Sequence, residues 1–292
     1  MRTPALGELV TLRGSNGFDV DGILFRGRGQ TIVVHVHGSL GNFYHNSFVR
    51  HMAAAYQLSG VGFLAVNLSA HDGLAEGYRC GSDFEYVGGS VARWEDCVAE
   101  IEGAVAFATC HGERVVLQGH SLGCDRVVHY LLLKGGSHDV VLLSPCDSYQ
   151  LQSEWLAPET VEGQIARLKQ ESATDPVLDW LPSREYGLRR GDGWTYHIPI
   201  TRPALLSIME GPPFSLFRLS RPMQYQVLSD ALVYIGGADR LQAWPSEVMF
   251  EFLQPRVRRL TRLFDPDGDH MLAPNAIALA EGIARWVAAR DL

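Results

Sequence analysis

The chain has 292 residues, of which 46% are apolar and 20% charged, and 25 basic against 33 acidic side chains leave a formal net charge of −8. This apolar content excludes a disordered chain, and a chain of this length can bury enough surface to need no disulfide or metal for stability. An acidic chain without a basic run lacks the electrostatic footprint of a nucleic-acid or anionic-membrane binder. We therefore expect no nucleic-acid partner and no membrane partner.

The cysteines and the N-terminal residues indicate in which cellular compartment we expect the protein. The chain has five cysteines, an odd number, and no C-x-x-C pair, which predicts neither a disulfide framework nor a zinc knuckle and favours a reducing compartment. The first fourteen residues contain no apolar leader. No stretch approaches the roughly 18 uncharged apolar residues that a membrane span needs. We expect a cytoplasmic protein.

The N-terminal part of the chain is predicted to form three strands and a helix. Alternating apolar and polar residues predict strands over Glu8–Arg13 and Asp19–Phe25. The apolar, β-branched run Thr31–Val36 predicts a strand buried on both faces. A polar loop with glycines follows over 37–46, and helical spacing begins at Ser47–Leu58.

The alternation of strand and helix continues to residue 143. The predicted elements are a strand over Val61–Leu68, a Gly-rich loop over 69–90, a helix over Val91–Thr109, a strand over Arg114–Gln118, a helix over Leu122–Leu133 and a strand over Asp139–Leu143. Strands that alternate with helices indicate an α/β fold with a parallel sheet and right-handed crossovers.

A break in this alternation runs from about residue 149 to residue 228. The segment holds eight prolines and three of the six tryptophans, and only Val161–Gln170 has clear helical spacing. Alternation resumes with a strand over Ala231–Ile235, a helix over Ser246–Leu253, a strand over Arg259–Phe264 and a helix over Pro274–Arg290. We predict one α/β core formed by 1–148 and 229–292, with 149–228 inserted as a lid that has its own short helices.

The strongest catalytic motif is Gly119-His120-Ser121-Leu122-Gly123, which follows a predicted strand and precedes a predicted helix. A serine on such a sharp turn is typical of a strained nucleophile, and its neighbours two residues away must be very small. The helix N-terminus also directs backbone N–H groups and its dipole at an oxyanion. Ser121 is therefore the predicted nucleophile and His120 a packing or hydrogen-bonding residue. An ordinary turn serine is the alternative.

With this motif in that setting, the chain resembles the α/β-hydrolase superfamily over essentially its full length. The resemblance implies the α/β-hydrolase fold, a mostly parallel central sheet flanked by helices with an inserted lid. It also implies a triad in the chain order serine, acid, histidine. That order places the nucleophile at Ser121, the acid near Asp239 and the base at His270. No cofactor is needed for this chemistry.

The acid has competitors close to the histidine. Asp239 ends a predicted strand, and His270 lies between the last predicted strand and the last predicted helix. Asp265, Asp267 and Asp269 are alternative acids, but residues so near a histidine in sequence seldom have room to orient its ring. Asp239 is therefore favoured. The other three would cap the last helix or solvate its loop.

His37-Gly38, at the end of a predicted strand, resembles the oxyanion loop of this family. The resemblance implies two donors, the N–H of Leu122 and the N–H of Ser39, with that of Leu40 as an alternative. Gly38 would let the backbone approach closely. Gly38 and Leu40 are also predicted to contact the substrate. An ordinary glycine turn is the alternative interpretation.

A metal site is the competing interpretation of the histidines. The residues that superficially resemble a dinuclear hydrolase cluster are His35, His37, His45, His71 and Asp72. Alternate residues on a strand face opposite sides, so His35 and His37 diverge unless the strand has ended. Ser39 also stands where metallo-β-lactamase-like enzymes need an acid. We predict no metal site.

The predicted lid is rich in aromatic residues. Trp155, Trp180 and Trp194 are predicted to bind a small to medium apolar or aromatic substrate, because such side chains offer a large contact area with a polar handle. The alternative is that they form only the lid's own core. The expected partner is a small-molecule substrate, and a homodimer is left open.

Together these features predict a serine hydrolase that cleaves an ester, thioester or activated amide through an acyl-enzyme on Ser121. An acyltransferase, a lyase or a cyclising enzyme could use the same scaffold, since function depends on the site and not on the fold. A ligand receptor without turnover is the alternative from another class. An intact set of Ser121, Asp239 and His270 favours an enzyme.

Overall fold

The computed structural model describes residues 6–80, 84–147, 150, 160–170, 178–183, 196–210, 228–242 and 244–290. For 178–183, 196–199 and 228 the description is limited to the backbone. Within these ranges, no helix is both long enough and apolar enough to cross a membrane.

An eight-stranded sheet forms the centre of the fold. All strands of the described ranges, in chain order, are β1 (Glu8–Arg13), β2 (Asp19–Phe25), β3 (Thr31–Val36), β4 (Gly62–Asn67), β5 (Ala75–Tyr78), β6 (Phe84–Val87), β7 (Arg114–His120), β8 (Val140–Leu143), β9 (Leu178–Ser183), β10 (Tyr196–Thr201), β11 (Leu228–Gly236) and β12 (Val257–Asp265). Two pairs of these strands, β5–β6 and β9–β10, lie outside the central sheet. The central sheet has the order β1-β2-β4-β3-β7-β8-β11-β12. β2 pairs antiparallel with β1 and β4, and the other neighbours pair in parallel.

Helices cover both faces of this sheet. In chain order, the helices of the described ranges, including two in segment 149–228, are α1 (Ser47–Leu58), α2 (Asp96–Thr109), α3 (Leu122–Lys134), α4 (Val161–Gln170), α5 (Arg202–Glu210), α6 (Ser246–Leu253) and α7 (Ala276–Ala288). One apolar core packs α2, α3 and α6 onto one face, and a second packs α1 and α7 onto the other. β3 and β4 are therefore buried along their whole length, as expected for parallel strands covered on both sides. The predicted fold class, a mostly parallel sheet flanked by helices, is confirmed.

The parallel arrangement decides where a site can form. Because β3, β7, β8, β11 and β12 run in the same direction, the loops that follow them emerge at one edge of the sheet, here called the carboxyl edge. In open α/β sheets ligands bind at this edge. The predicted nucleophile, acid, base and oxyanion loop all follow one of these strands.

Two local predictions between residues 69 and 109 are wrong. The predicted loop over 69–90 contains the β5–β6 hairpin, which pattern analysis missed because these four-residue strands bury only Gly77 and Val87. The helix predicted from Val91 begins at Asp96. Residues 91–95 form turns instead, in which the N–H groups of residues 91 and 92 donate to the carbonyl oxygen of Gly88.

The described parts of segment 149–228 form two helices and a hairpin. α4 and α5 share a small apolar cluster that includes Val161, Leu168 and Leu205, and β9 pairs antiparallel with β10. Sequence patterns indicated only α4, because the other elements lie among prolines. The use of this segment as a lid stays a prediction.

Candidate active site

The turn that carries Ser121 is strained and depends on glycine. Ser121 lies between β7 and α3 with φ 54° and ψ −127°, a left-handed conformation that costs a non-glycine residue about 1–3 kcal/mol. A Cβ at Gly119 would lie 2.5 Å from the carbonyl oxygen of Gly123, and one at Gly123 would lie 2.3 Å from the carbonyl oxygen of Val36. Neither position can therefore hold a side chain without moving the backbone that presents the serine.

Asp239 and His270 form a hydrogen-bonded pair. The Nδ1 atom of His270 lies 2.9 Å from Oδ2 of Asp239, and the Asp239 side chain is 1% exposed against 18% for His270. The N–H of Leu241 donates to the other carboxylate oxygen, Oδ1, at 2.9 Å. Because an ionised carboxylate only accepts hydrogen bonds, Nδ1 carries the proton and Nε2 is left as the basic nitrogen.

The loops that carry Asp239 and His270 approach each other closely, and a glycine at position 236 allows this. The N–H of Ala238 donates to the carbonyl oxygen of Gly268 at 2.9 Å, and the N–H of Gly237 donates to that of Asp265 at 2.7 Å. A Cβ at Gly236 would lie 2.2 Å from the carbonyl oxygen of Gly268. The loops after β11 and β12 are thus held together by their backbones.

The competing acids have other partners. Asp265 accepts a hydrogen bond from the side chain of Asn275 at 2.9 Å, and Asp269 accepts from the backbone N–H groups two and four residues later. Asp267 is exposed. Among the described contacts, none of these carboxylates bonds to the ring of His270. Asp265 and Asp269 thus form hydrogen bonds within their own loop.

His120 connects the serine turn to the loop of His270. Its Nε2 lies 2.8 Å from the carbonyl oxygen of His270 and therefore carries a proton. The His120 ring centroid lies 4.7 Å from that of Phe48 and 5.0 Å from that of His270. Burial, helped by the nearby His270, lowers the pKa of His120 well below its usual value. His120 is thus a neutral hydrogen-bonding residue.

The predicted oxyanion loop, residues 37–41 and hereafter the oxyanion loop, lies directly against Ser121, the predicted nucleophile. A Cβ at Gly38 would lie 2.8 Å from Cβ of Ser121 and 3.0 Å from the carbonyl oxygen of His120. Leu122 is the first residue of α3, where the N–H has no partner within the helix. Each predicted donor is therefore a chain neighbour of this contact, Leu122 next to Ser121 and Ser39 next to Gly38.

Hydrogen bonds hold His37, the first residue of this loop, in one neutral tautomer. Its Nε2 accepts the N–H of Leu68 at 3.1 Å, so Nδ1 carries the proton and donates to the carbonyl oxygen of Gly38 at 2.8 Å. Burial, followed by the positive charge of Arg126, lowers the pKa of His37 well below its usual value. Arg126 itself donates from Nη1 to the carbonyl oxygens of His37, at 3.1 Å, and Gly38, at 3.3 Å. Pattern analysis gave no indication of this contact of Arg126.

Cys146, in the loop after β8, is the hydrogen-bonding neighbour of Ser121. Its sulfur lies 3.8 Å from Oγ of Ser121. Among the described contacts, the hydroxyl of Ser121 bonds to this thiol and not to the ring of His270. Hydrogen bonds between catalytic groups are often long without substrate and shorten in the reacting complex. No spacing in the sequence signals this contact, because it joins residues on different strands.

The histidines of the competing metal interpretation have separate partners. The ring centroid of His35 lies 5.7 Å from that of Phe48, and burial lowers the pKa of His35 to about 3. His71 Nδ1 lies 2.6 Å from one oxygen of Asp72, whereas His45 Nδ1 lies 4.0 Å from the other. Within the described ranges, no group of three or more His, Cys, Asp or Glu residues is placed to hold a metal ion.

Asp72 instead joins two loops beside the oxyanion loop. Its carboxylate accepts hydrogen bonds from the side chains of Asn42, Tyr44 and His71. Burial raises its pKa, but these hydrogen bonds outweigh that effect and lower the pKa of Asp72 overall. The loop after β3 is thereby tied to the loop after β4.

The remaining predicted substrate residues stay predictions. Leu40 is half-buried with φ 51°, and its Cδ2 lies 2.2 Å from where a Cβ at Gly89 would be. Trp155 and Trp194 lie outside the described residues. Trp180 lies in β9, where the backbone alone is described.

The strand order, with a strained serine turn after β7 and an Asp–His pair after β11 and β12, is that of the α/β-hydrolase fold. The chain is similar in structure to mouse alpha/beta hydrolase domain-containing protein 10, with a TM-score of 0.65, 15% identity, and coverage of 97% of this chain and 99% of that chain. It is also similar to Est1E from Butyrivibrio proteoclasticus with bound ferulic acid (TM-score 0.60, 13% identity, coverage 95% and 97%). An esterase of Pyrococcus furiosus gives a TM-score of 0.59 at 13% identity, with coverage of 97% and 89%.

The sequence matches no protein-family model and no curated protein. At identities of 13–15% the structural similarity establishes the fold. The chemistry depends on the side chains of this chain.

Proposed function

We propose that the protein is a serine hydrolase that cleaves an ester, thioester or activated amide through an acyl-enzyme on Ser121. The observation that carries the proposal is the hydrogen bond between Asp239 and His270 at the same edge of the sheet as the strained serine. The esterases and hydrolases among the similar structures support it.

The reaction follows from the protonation states of the pair. Nε2 of His270 takes the proton of the Ser121 hydroxyl as Oγ attacks the substrate carbonyl, and Asp239 stabilises the imidazolium that forms. The backbone N–H groups of Leu122 and Ser39 stabilise the tetrahedral oxyanion. His270 then protonates the leaving group. Water, activated by the same nitrogen, releases the acid and restores the serine.

The three histidines at this edge differ in what they can do. His37 and His120 are buried and have strongly lowered pKa values. Both ring nitrogens of His37 and Nε2 of His120 are used in hydrogen bonds within the protein. His270 has a buried carboxylate partner, and its side chain is 18% exposed. Of these three, His270 is therefore the residue suited to exchange a proton with substrate.

The proposal includes segment 149–228 as a lid over the site. Two contacts support it: the N–H of Thr201 donates to the carbonyl oxygen of Ser90 at 2.8 Å, and Oγ of Ser207 donates to Glu95 at 2.8 Å. Residues 90–95 precede α2, which runs back toward the start of β7, so its N-terminus lies on the side of the carboxyl edge. The proposed substrate contacts within this lid are Trp155, Trp180 and Trp194.

A fluorophosphonate probe tests the proposal directly. We expect it to label the wild-type protein on the peptide that contains Ser121, as located by mass spectrometry. Ser121→Ala should take up no label, and His270→Asn should take it up far more slowly. A panel of 4-nitrophenyl esters of increasing acyl length, with a matched thioester and anilide, then identifies the acyl group and the bond.

Each outcome separates one alternative. A folded wild-type protein that takes up no label contradicts the proposal, and saturable binding of an ester without turnover would instead indicate a receptor. Release of free acid supports hydrolysis. Transfer of the acyl group to an added alcohol or amine in preference to water would make the protein an acyltransferase.

A further inference from the structure

The side chain of Arg126 contacts the backbone of the oxyanion loop. Arg126 is 5% exposed and lies on α3 four residues, or about one turn, after Leu122. Its Nη1 donates to the carbonyl oxygens of His37 and Gly38 at 3.1 and 3.3 Å. One helix therefore carries one proposed oxyanion donor at its first residue and, a turn later, a cation that contacts the loop with the second donor.

The carbonyl of Gly38 belongs to the same peptide group as the N–H of Ser39. This carbonyl oxygen accepts three hydrogen bonds, from Nδ1 of His37 at 2.8 Å, from Arg126 at 3.3 Å and from the N–H of Gly41 at 3.3 Å. In a planar trans peptide the C=O and N–H bonds point in opposite directions. Holding the oxygen toward Arg126 therefore fixes the direction in which the N–H of Ser39 points.

Hydrogen bonds to a carbonyl oxygen also polarise the peptide and strengthen its N–H as a donor, especially away from water. Donors with a formal charge form the stronger bonds. Arg126 supplies that charge. His37 is neutral, so its contribution is mainly to orientation.

We propose that Arg126 is a positioning residue that orients and polarises the peptide between Gly38 and Ser39, so that its N–H becomes an effective oxyanion donor. This inference rests on the proposed function, because an oxyanion has to form for the donor to matter. Arg126 acts through the backbone and does not touch the reacting atoms.

The test compares three arginine variants by the kinetics of fluorophosphonate labelling. Arg126→Met removes the charge and the donors, and Arg126→Lys keeps the charge but loses the planar fork. Arg114→Met is the matched control, because Arg114, with a side chain 26% exposed, also donates to a backbone carbonyl, that of Val287 at 3.2 Å, but lies at the end of β7 opposite to Ser121. For each variant the maximal labelling rate kinact, the half-saturating concentration KI, the pH profile of kinact and the unfolding midpoint are measured.

We expect Arg126→Met to lower kinact about 10–100-fold with KI within about twofold, since removal of a whole oxyanion donor costs roughly 10²–10³-fold. The shape of the pH profile should stay unchanged, because the base is not affected. Arg126→Lys should fall between wild type and Arg126→Met. Arg114→Met should lower the unfolding midpoint and leave kinact unchanged.

The inference is overturned if Arg126→Met labels as fast as wild type, or if Arg114→Met loses kinact to the same extent. If Arg126→Met does not fold, Arg126→Gln, which loses the charge but keeps an amide donor, replaces it, and a wild-type kinact in that variant overturns the inference equally. Failure of the proposed function looks different, because the wild-type protein itself would then take up no label.

Discussion

The two sides of the serine turn differ in burial, and the tasks that we propose for them are opposite. On the acid–base side, His270 is 18% exposed and has one buried carboxylate partner. On the oxyanion side, His37 and Arg126 are nearly inaccessible, and the carbonyl oxygen of Gly38 is saturated with donors. A base must reach substrate and change charge, whereas an oxyanion donor must keep its position and its polarity. The difference in burial agrees with this difference between the proposed tasks.

The two sides also use histidine differently. His37 and His120 flank the nucleophile in the fold, yet burial lowers the pKa of each well below its usual value. Both serve as fixed hydrogen-bonding groups over the physiological range. Proximity to the serine is thus not sufficient for a histidine to act as a base, because the ring also needs a carboxylate partner and access to substrate.

The largest effect is expected from removing the hydroxyl of Ser121, on which the acid–base side and the oxyanion side both act. Ser121→Ala should lower kcat for the best ester of the panel by roughly 10⁴–10⁶-fold, because a triad acts as a unit. The unfolding midpoint should change little, since alanine can replace a small side chain at this turn. Turnover near the wild-type rate would contradict the covalent mechanism.

The next effect is confined to the acid–base side. Asp239→Asn should lower kcat by up to about 10⁴-fold. The amide can donate a hydrogen bond to Nδ1 of His270, which leaves the ring proton on Nε2, where the base must be free. Asp269→Asn is the matched control in the same group of loops and should keep most of the activity, since Asp269 bonds to backbone N–H groups. A larger loss in the control would transfer the role of the acid to Asp269.

A smaller effect is expected on the oxyanion side. Gly38→Ala places a Cβ 2.8 Å from that of Ser121, so the loop must move away from the nucleophile, and kcat should fall roughly 10²–10³-fold as a donor is displaced. KM should change far less. Gly73→Ala is the control, because a Cβ there meets nothing within 4 Å. Equal kinetics for both variants would show that the loop does not form the oxyanion hole.

The smallest expected effect is on the free energy of unfolding as the pH is lowered. Burial keeps His35, His37 and His120 neutral in the folded protein with lowered pKa values, so the unfolded chain binds more protons below its histidine pKa of about 6.5. The free energy of unfolding is therefore fully present above that pH and falls as the pH is lowered through it, by up to about 1.4 kcal/mol per pH unit for each histidine. Glu100 opposes this trend, because burial raises its pKa.

Urea unfolding between pH 7.5 and pH 5 measures this slope. His35→Gln removes one titrating ring and can still accept the hydrogen bond that Gln118 donates to His35, so the slope should decrease by up to about 1.4 kcal/mol per pH unit. An unchanged slope in His35→Gln would mean that this ring is protonated in the folded protein.

Most of the core could be predicted from the sequence because its signals are local. Period-two and β-branched runs predicted β1, β2 and β3 with the observed bounds, and helical spacing predicted α1 and α6 in the same way. The β5–β6 hairpin and the late start of α2 could not be predicted, because short exposed strands and turns have no apolar period. Their structure depends on contacts with distant residues.

For the candidate site, the sequence by itself determined which residues follow the carboxyl ends of parallel strands, and hence that Ser121, Asp239 and His270 belong to one edge. Only the tertiary structure decided the partners: Asp239 and not Asp269 for His270, Cys146 beside the serine hydroxyl, and Arg126 under the oxyanion loop. The physical reason is that a motif reports the local turn of the backbone. Which side chains meet across that edge is set by the order and spacing of the strands, which bring together residues far apart in the chain.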